Sequence, residues 1–214
     1  VCCIRVTYLN ETFIVKEMHK SFNYGRDYML IDSLKNQFGI CNLEMARIKS
    51  NKSQVRKDLS IKTLKGNWKL ENKDVIYCMM KEFKNIGDIG KNKHYLDNDD
   101  IFKECLKIRL YDGLLRSSDN IQRNILVDTN GNLKSIDEGD IFGKRKDIFN
   151  RNDYFSNKKN INRTKEFVVG IIDSFQLELK KNIVKDAMIK YGFKNKVIEM
   201  ENRFDNFKAI VLNE

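Results

Sequence analysis

The stretch RSSDNIQRNILVDTNGNLKSIDEGD, residues 116–140, sets three oxygen-bearing side chains around two short apolar runs. Asp119 and Asn124 precede ILV at 125–127, and Asp137 follows LKSI at 133–136. Between the runs lies Asp128-Thr129-Asn130-Gly131-Asn132, a turn composition, since Asn and Gly tolerate positive φ. The pattern predicts a hairpin. A hairpin returns its ends to one edge, so Asn124 and Asp137 become neighbours, with Asp119 one short loop upstream. An amide oxygen beside a carboxylate suits Mg²⁺, which takes few protein oxygens and completes its shell with phosphate and water. A calcium loop starting at Asp128 fails at two positions. The sharp-turn glycine is Leu133, and the bidentate glutamate is Gly139.

Upstream, residues 1–18 read as a hairpin of β-branched and aromatic runs joined at Asn10-Glu11. The period then changes. Tyr28, Ile31, Leu34 and Phe38 fall at helical spacing, predicting a helix over 23–38 that stops at Gly39. Residues 49–73 read as weak strand and loop, 74–83 as a buried strand and 84–93, with two glycines, as a linker. A long helix is expected over 97–117, capped by Asp99, with Ile101, Phe102, Cys105, Ile108 and Leu110 on its apolar face. Downstream, 143–164 is basic and aperiodic, and helices are expected over 165–181, 182–192 and 196–212.

The chain of 214 residues is long enough for a sizeable core. No run approaches 18 consecutive apolar residues, which argues against a membrane span. The cysteines at 2, 3, 41, 78 and 105 form no CxxC pair and read as reduced thiols of an intracellular protein, in the cytoplasm or in a virus factory or virion. A net charge of +10 favours phosphate-bearing partners, nucleic acid among them. The excess of Lys, Asn and Ile also fits the bias of an AT-rich genome, such as that of a parasite or large virus. His19 and His94 stand apart from the motif and read as surface residues.

Asp-x4-Asn (119–124), a hairpin and Asp-x-Gly (137–139) together resemble the catalytic loop and metal motif of the protein-kinase-like fold. FIVK at 13–16 resembles the third-strand lysine motif of that fold. Arg26-Asp27-Tyr28-Met29-Leu30 is similar to a stretch that recurs on the following helix in phosphatidylinositol 3-/4-kinases. No Gly-rich loop precedes Lys16, which points to an atypical branch, and Ser117-Ser118 stand where protein kinases carry His-Arg.

The resemblance implies an α+β, two-lobed kinase-like fold. The N-lobe would be 1–83, a small antiparallel sheet plus the helix 23–38. A hinge would follow over 84–96, then a mostly helical C-lobe over 97–214 with its catalytic loop at 117–124. It implies an ATP- and Mg²⁺-dependent phosphotransferase acting on a protein or lipid hydroxyl. Asp119 would orient the hydroxyl, and Lys16 would fix the phosphates, paired with Asp27 or Asp32. Backbone groups near Met80 and Glu82 would meet adenine, and Asn124 and Asp137 would hold Mg²⁺. The basic segment 143–164 would receive an anionic protein or lipid acceptor. Ile121, where lipid kinases carry His, and Glu138, in place of the Phe of Asp-Phe-Gly, keep a second class open: a catalytically impaired pseudokinase, or a basic module that binds nucleic acid or protein.

Overall fold

In the computed structural model, residues 3–18, 24–40, 45–51, 60–65, 74–117, 122–136, 141–142, 148–149 and 154–213 are described. The fold is α+β, with small antiparallel sheets and several helices, as the mixture of periods predicts. Among the described residues no helix is long and apolar enough to cross a membrane. The chain divides into two compact units, Val1–Asp32 with Leu43–Lys84, and Ser33–Asn42 with Asn85–Glu214.

The first unit is built on a five-stranded sheet. Its strands are β1 (Cys3–Tyr8), β2 (Glu11–Met18), β3 (Met45–Asn51), β4 (Ser60–Lys65) and β5 (Asp74–Lys81), in the order β3-β5-β2-β1-β4. All pairings are antiparallel. The 49–73 region therefore holds one whole strand and the end of another. The β1–β2 turn is Leu9-Asn10, one residue before its expected position. Both residues have positive φ, 48° and 64°, the backbone of a two-residue hairpin turn whose twist matches its strands. Ile4, Val6 and Val15 are buried on one face of the sheet, and Cys78 and Met80 on the other.

α1 (Tyr24–Lys35) follows β2, and a short 3-10 turn, Asn36–Phe38, extends it. Leu30, Ile31, Leu34 and Phe38 form its buried stripe, with Gly39 in the left-handed conformation as the stop. The division between units runs through this helix, after Asp32. Its far end belongs to the second unit for a packing reason. Phe38 lies 5.4 Å from both Tyr111 and Phe175 and 6.3 Å from Phe204, ring centre to ring centre. Each such pair adds of order 1 kcal/mol to the area the rings bury.

The second unit centres on α2 (Asp99–Leu114), which is buried on most sides from Cys105 onward. Its N-cap is Asn98, not Asp99: the Asn98 side-chain oxygen accepts from the Asp100 and Ile101 amides at 2.9 and 3.2 Å. Asp99 and Asp100 then sit in the first turn, where negative charge suits the helix dipole. A three-stranded sheet, β6 (Gly87–Asp88), β7 (Ile125–Val127) and β8 (Leu133–Ser135), packs in the same unit. The expected linker is thus partly a strand, with Gly87 opposite Val127 and Asp88 opposite Leu126. Two residues are too few to show a period of two. α3 (Ile161–Ser174), α4 (Leu177–Lys190) and α5 (Val197–Leu212) complete the unit. The helix expected over 165–181 instead breaks at Gln176, whose φ is +50°, next to the fully buried Phe175.

Candidate active site

The β7–β8 hairpin has the geometry read from its sequence. Ile125 faces Ser135, Leu126 faces Lys134 and Val127 faces Leu133. One carboxylate organises the turn. Asp128 Oδ1 accepts from the amides of Asn130 and Asn132 at 2.8 and 2.9 Å, and Asp128 Oδ2 accepts from the Asn132 amide group at 2.8 Å. These bonds, the Asn132 side chain first, hold the Asp128 carboxyl below its usual range. Gly131 has φ +84° and lies against Ile101.

The hairpin closes at its open end. The Ile136 amide donates to the Asn124 carbonyl at 2.7 Å, so Asn124 lies beside the residue that immediately precedes Asp137. Asn124 ends a 3-10 turn, Gln122–Asn124, next to β7. Asp119, Asp137, Ile121 and Glu138 lie outside the described residues. Their frame, however, is described. The Phe142 amide donates to the Leu115 carbonyl at 3.0 Å. Leu115 with Phe142 and Asn124 with Ile136 are thus two linked anchors. Arg116 and Phe142, one at each side of the first anchor, have positive φ of 53° and 57°. Such backbone in bulky residues persists only where surroundings impose it.

The Arg116 conformation has a local cause. The Arg116 amide donates to the Gly113 carbonyl and the Ser117 amide to the Asp112 carbonyl, the paired bonds of a Schellman C-cap, in which the residue after the cap must be left-handed. Glycine usually fills that position. Here the Arg116 side chain pairs with Glu199 of α5, which also accepts from Lys196 at 2.8 Å. Those cations, Lys196 foremost, hold the Glu199 carboxyl below its ordinary range. Arg203, one turn along α5, donates to the Gly113 and Leu114 carbonyls at 2.6–3.1 Å. Gly113 itself has no room for a side chain, since a Cβ would stand 2.9 Å from Ile148. The sequence gives no hint of this α2–α5 clamp, whose partners lie more than 80 residues apart. Lys35 is a further buried residue, reaching the Ser135 carbonyl at 3.4 Å. A lysine four residues after Ile31 on the apolar stripe was its one sequence signal.

In the first unit, Lys16 lies on the central strand β2, opposite Cys3 on one side and Cys78 on the other. Opposed residues and every second neighbour share a face, so Lys16, Ile14 and Met80 are on one side of the sheet. The Met80 backbone, expected to meet adenine, is instead part of the ladder between β2 and β3, which leaves its side chain. Glu82 extends the same face. Its amide is committed to the Thr12 carbonyl at 2.8 Å and its carboxylate to Arg5, which leaves its carbonyl. On α1, Asp27 is on the buried stripe and Asp32 is half-buried.

The basic segment divides. Lys144, Arg145, Lys146 and Arg151 lie outside the described residues, and Lys158 and Lys159 are exposed. Arg163 is engaged within the unit. It donates to Asp99 at 2.8 Å, to the Leu96 carbonyl at 2.6 Å and to the Asp97 carbonyl at 3.3 Å, and its guanidinium lies 4.0 Å from the Phe102 ring centre. Arg163 is thus a structural residue of α3, which begins inside the segment read as aperiodic, and not a free contact for an acceptor. Arg123 and His94 are exposed, and the His94 ring lies tilted against Tyr95, 4.5 Å between ring centres. Among the described residues no three His, Cys, Asp or Glu side chains cluster for a metal. No protein-family model matches the chain, and no curated protein matches it significantly, so the functional reading rests on these residues and distances.

Proposed function

We propose that the chain is an ATP- and Mg²⁺-dependent phosphotransferase of the kinase-like fold, of the atypical branch that resembles phosphatidylinositol 3-/4-kinases, acting on a protein or lipid hydroxyl. The observation that carries this reading is the 2.7 Å bond between the Asn124 carbonyl and the Ile136 amide. It joins the last residue of Asp-x4-Asn to the residue before Asp-x-Gly. An amide oxygen from Asn124 and a carboxylate from Asp137 fit the donor chemistry of Mg²⁺. When bound, the ion neutralises charge on the transferring phosphoryl group. Asp119 orients the acceptor hydroxyl and takes its proton. Lys16 fixes the nucleotide phosphates, and Asp27, on the buried stripe of α1, orients it in preference to Asp32. The Met80 side chain and the Glu82 carbonyl, on the Lys16 face, meet the base. Within the basic segment 143–164, the exposed Lys158 and Lys159 meet an anionic acceptor.

The test is a thermal shift. Mg-ATP at about 100 times its dissociation constant stabilises the fold by roughly 2.7 kcal/mol. Lys16→Met keeps the aliphatic stem and removes the charge, so it lowers the ATP-induced shift while the unliganded melting temperature stays near that of the parent. A parent protein that gives no shift with saturating Mg-ATP sinks the reading in favour of a non-nucleotide binding module.

A further inference from the structure

Away from the hairpin, two lysines converge on the turn that ends α1. Lys107 of α2 donates to the Gly39 carbonyl at 2.7 Å. Lys180 of α4 stands 5.0 Å above the Phe38 ring. Gly39 is tightly approached, since a Cβ there would lie 2.9 Å from the Lys107 ammonium. Both side chains are half-buried. Among the described residues, neither ammonium forms an ion pair with a carboxylate. Glu104 lies one turn before Lys107; burial pushes its carboxyl up, and the Lys107 charge opposes that shift. Burial and the nearby Lys107 charge together push Lys180 down. Two like charges gathered on one turn and partly stripped of water repel each other, and an anion that joins them offsets that repulsion.

We propose that Lys107 and Lys180 form an oxyanion site on the Phe38–Gly39 turn, with a phosphate monoester or inorganic phosphate as its ligand. Two ammonium groups match the two negative charges of such a dianion, and each supplies three rotatable donors. The site lies within the second unit and shares no residue with the Asn124–Asp137 motif. A bound phosphate links the end of α1 to α2 and α4 and thereby stabilises the unit.

Melting temperature in low-salt buffer tests this, with inorganic phosphate against chloride at matched ionic strength. The parent melts higher with phosphate, and the rise grows with the logarithm of concentration. Lys107→Met/Lys180→Met loses the rise. Without phosphate, Lys180→Met melts higher than the parent, by roughly 1–3 °C, because the repulsion is gone while Met keeps contact with Phe38. Asp137→Asn retains the phosphate response, which separates this site from the nucleotide site. Sedimentation with phosphatidic acid vesicles, against phosphatidylcholine, distinguishes a lipid headgroup from free phosphate. Vesicle binding that needs both lysines assigns the headgroup as source, and a soluble response alone assigns free phosphate. A parent without a phosphate response, or a double variant that keeps it, overturns the proposal. If the double variant does not fold, Lys180→Met alone decides: a parent-like phosphate shift, or a lower melting temperature without phosphate, overturns it.

Discussion

The two hairpins of this chain solve the same problem in opposite ways. β1 and β2 pair over six residues, and their turn is two residues long with a leucine in left-handed backbone, exposed to 79%. β7 and β8 pair over three residues, and their turn is over-determined by Asp128, Gly131 and the neighbouring Ile101. A long ladder tolerates a poor turn because many bonds and side-chain pairs fix the register. A short ladder cannot, so the turn must fix it. Under the proposed function this difference has a consequence. Lys16 is set by the ladder, whereas Asn124 is set by the turn.

Under the proposed function, the largest effect should come from Asp137, which follows the second hairpin in sequence. Asp137→Asn keeps the shape and removes the charged ligand, so phosphoryl transfer from Mg-ATP falls at least roughly a hundredfold while the melting temperature barely changes. Radiolabelled ATP offered with protein, lipid and nucleic-acid acceptors measures this. Retained transfer in the variant removes Asp137 from the mechanism.

Next, Gly131→Ala attacks the turn itself. Its φ of +84° disfavours any side chain, and the new Cβ would sit 2.6 Å from the Ile101 methyl. The expected loss is about 1–3 kcal/mol in urea unfolding, with weaker Mg-ATP binding. Adding Ile101→Val relieves the clash but not the backbone strain, so recovery is partial. Full recovery shows that contact, not φ, dominates there.

The first hairpin should respond in the opposite direction. Replacing Leu9 by Asn and Asn10 by Gly suits the two left-handed positions and stabilises the fold by about 1 kcal/mol. Nucleotide affinity stays the same, since the ladder already fixes Lys16. A change in affinity means that the turn also sets the register.

The smallest effect is a pH dependence. The Asp128 carboxyl is held below its usual value in the folded chain by the Asn132 side chain and backbone amides. A depressed folded pKa means that its contribution is present above the unfolded value of 3.8 and is lost as pH falls through the folded one. Asp128→Asn therefore flattens the acid limb of the stability curve below about pH 4. Equal acid limbs for parent and variant remove Asp128 as the pin of the turn.

The sequence made some of this legible because the signal was local. The β7–β8 hairpin, α1 with its Gly39 stop and the α2 helix follow from period and turn chemistry within a dozen residues. The errors fell where two local solutions compete or where a distant contact decides. Asn98 and Asp99 are both good caps, and only geometry shows that Asn98 accepts the two amides. Glycine-flanked Asp88 gains strand character from Leu126, far along the chain. Gln176 breaks a helical pattern without Gly or Pro because Phe175 is drawn into the ring cluster around Phe38. Arg163 reads as one more cation in a basic run until Phe102 and Asp99 are seen to hold it. The clamp of Arg116 and Arg203 by α5 is wholly non-local.

The division inside α1 has a consequence for anyone who would dissect the chain. The second unit is not contiguous, because it borrows Ser33–Asn42 from within the first. A fragment of 85–214 has a hole where Phe38 meets Tyr111, Phe175 and Phe204, a loss of about 3–5 kcal/mol by the cost of emptying a core of one phenylalanine. The same fact makes the unit a two-piece system. A synthetic peptide of Ser33–Asn42, added in trans, is the plug that such a fragment would bind, and its affinity would report the integrity of the ring cluster without any knowledge of substrate.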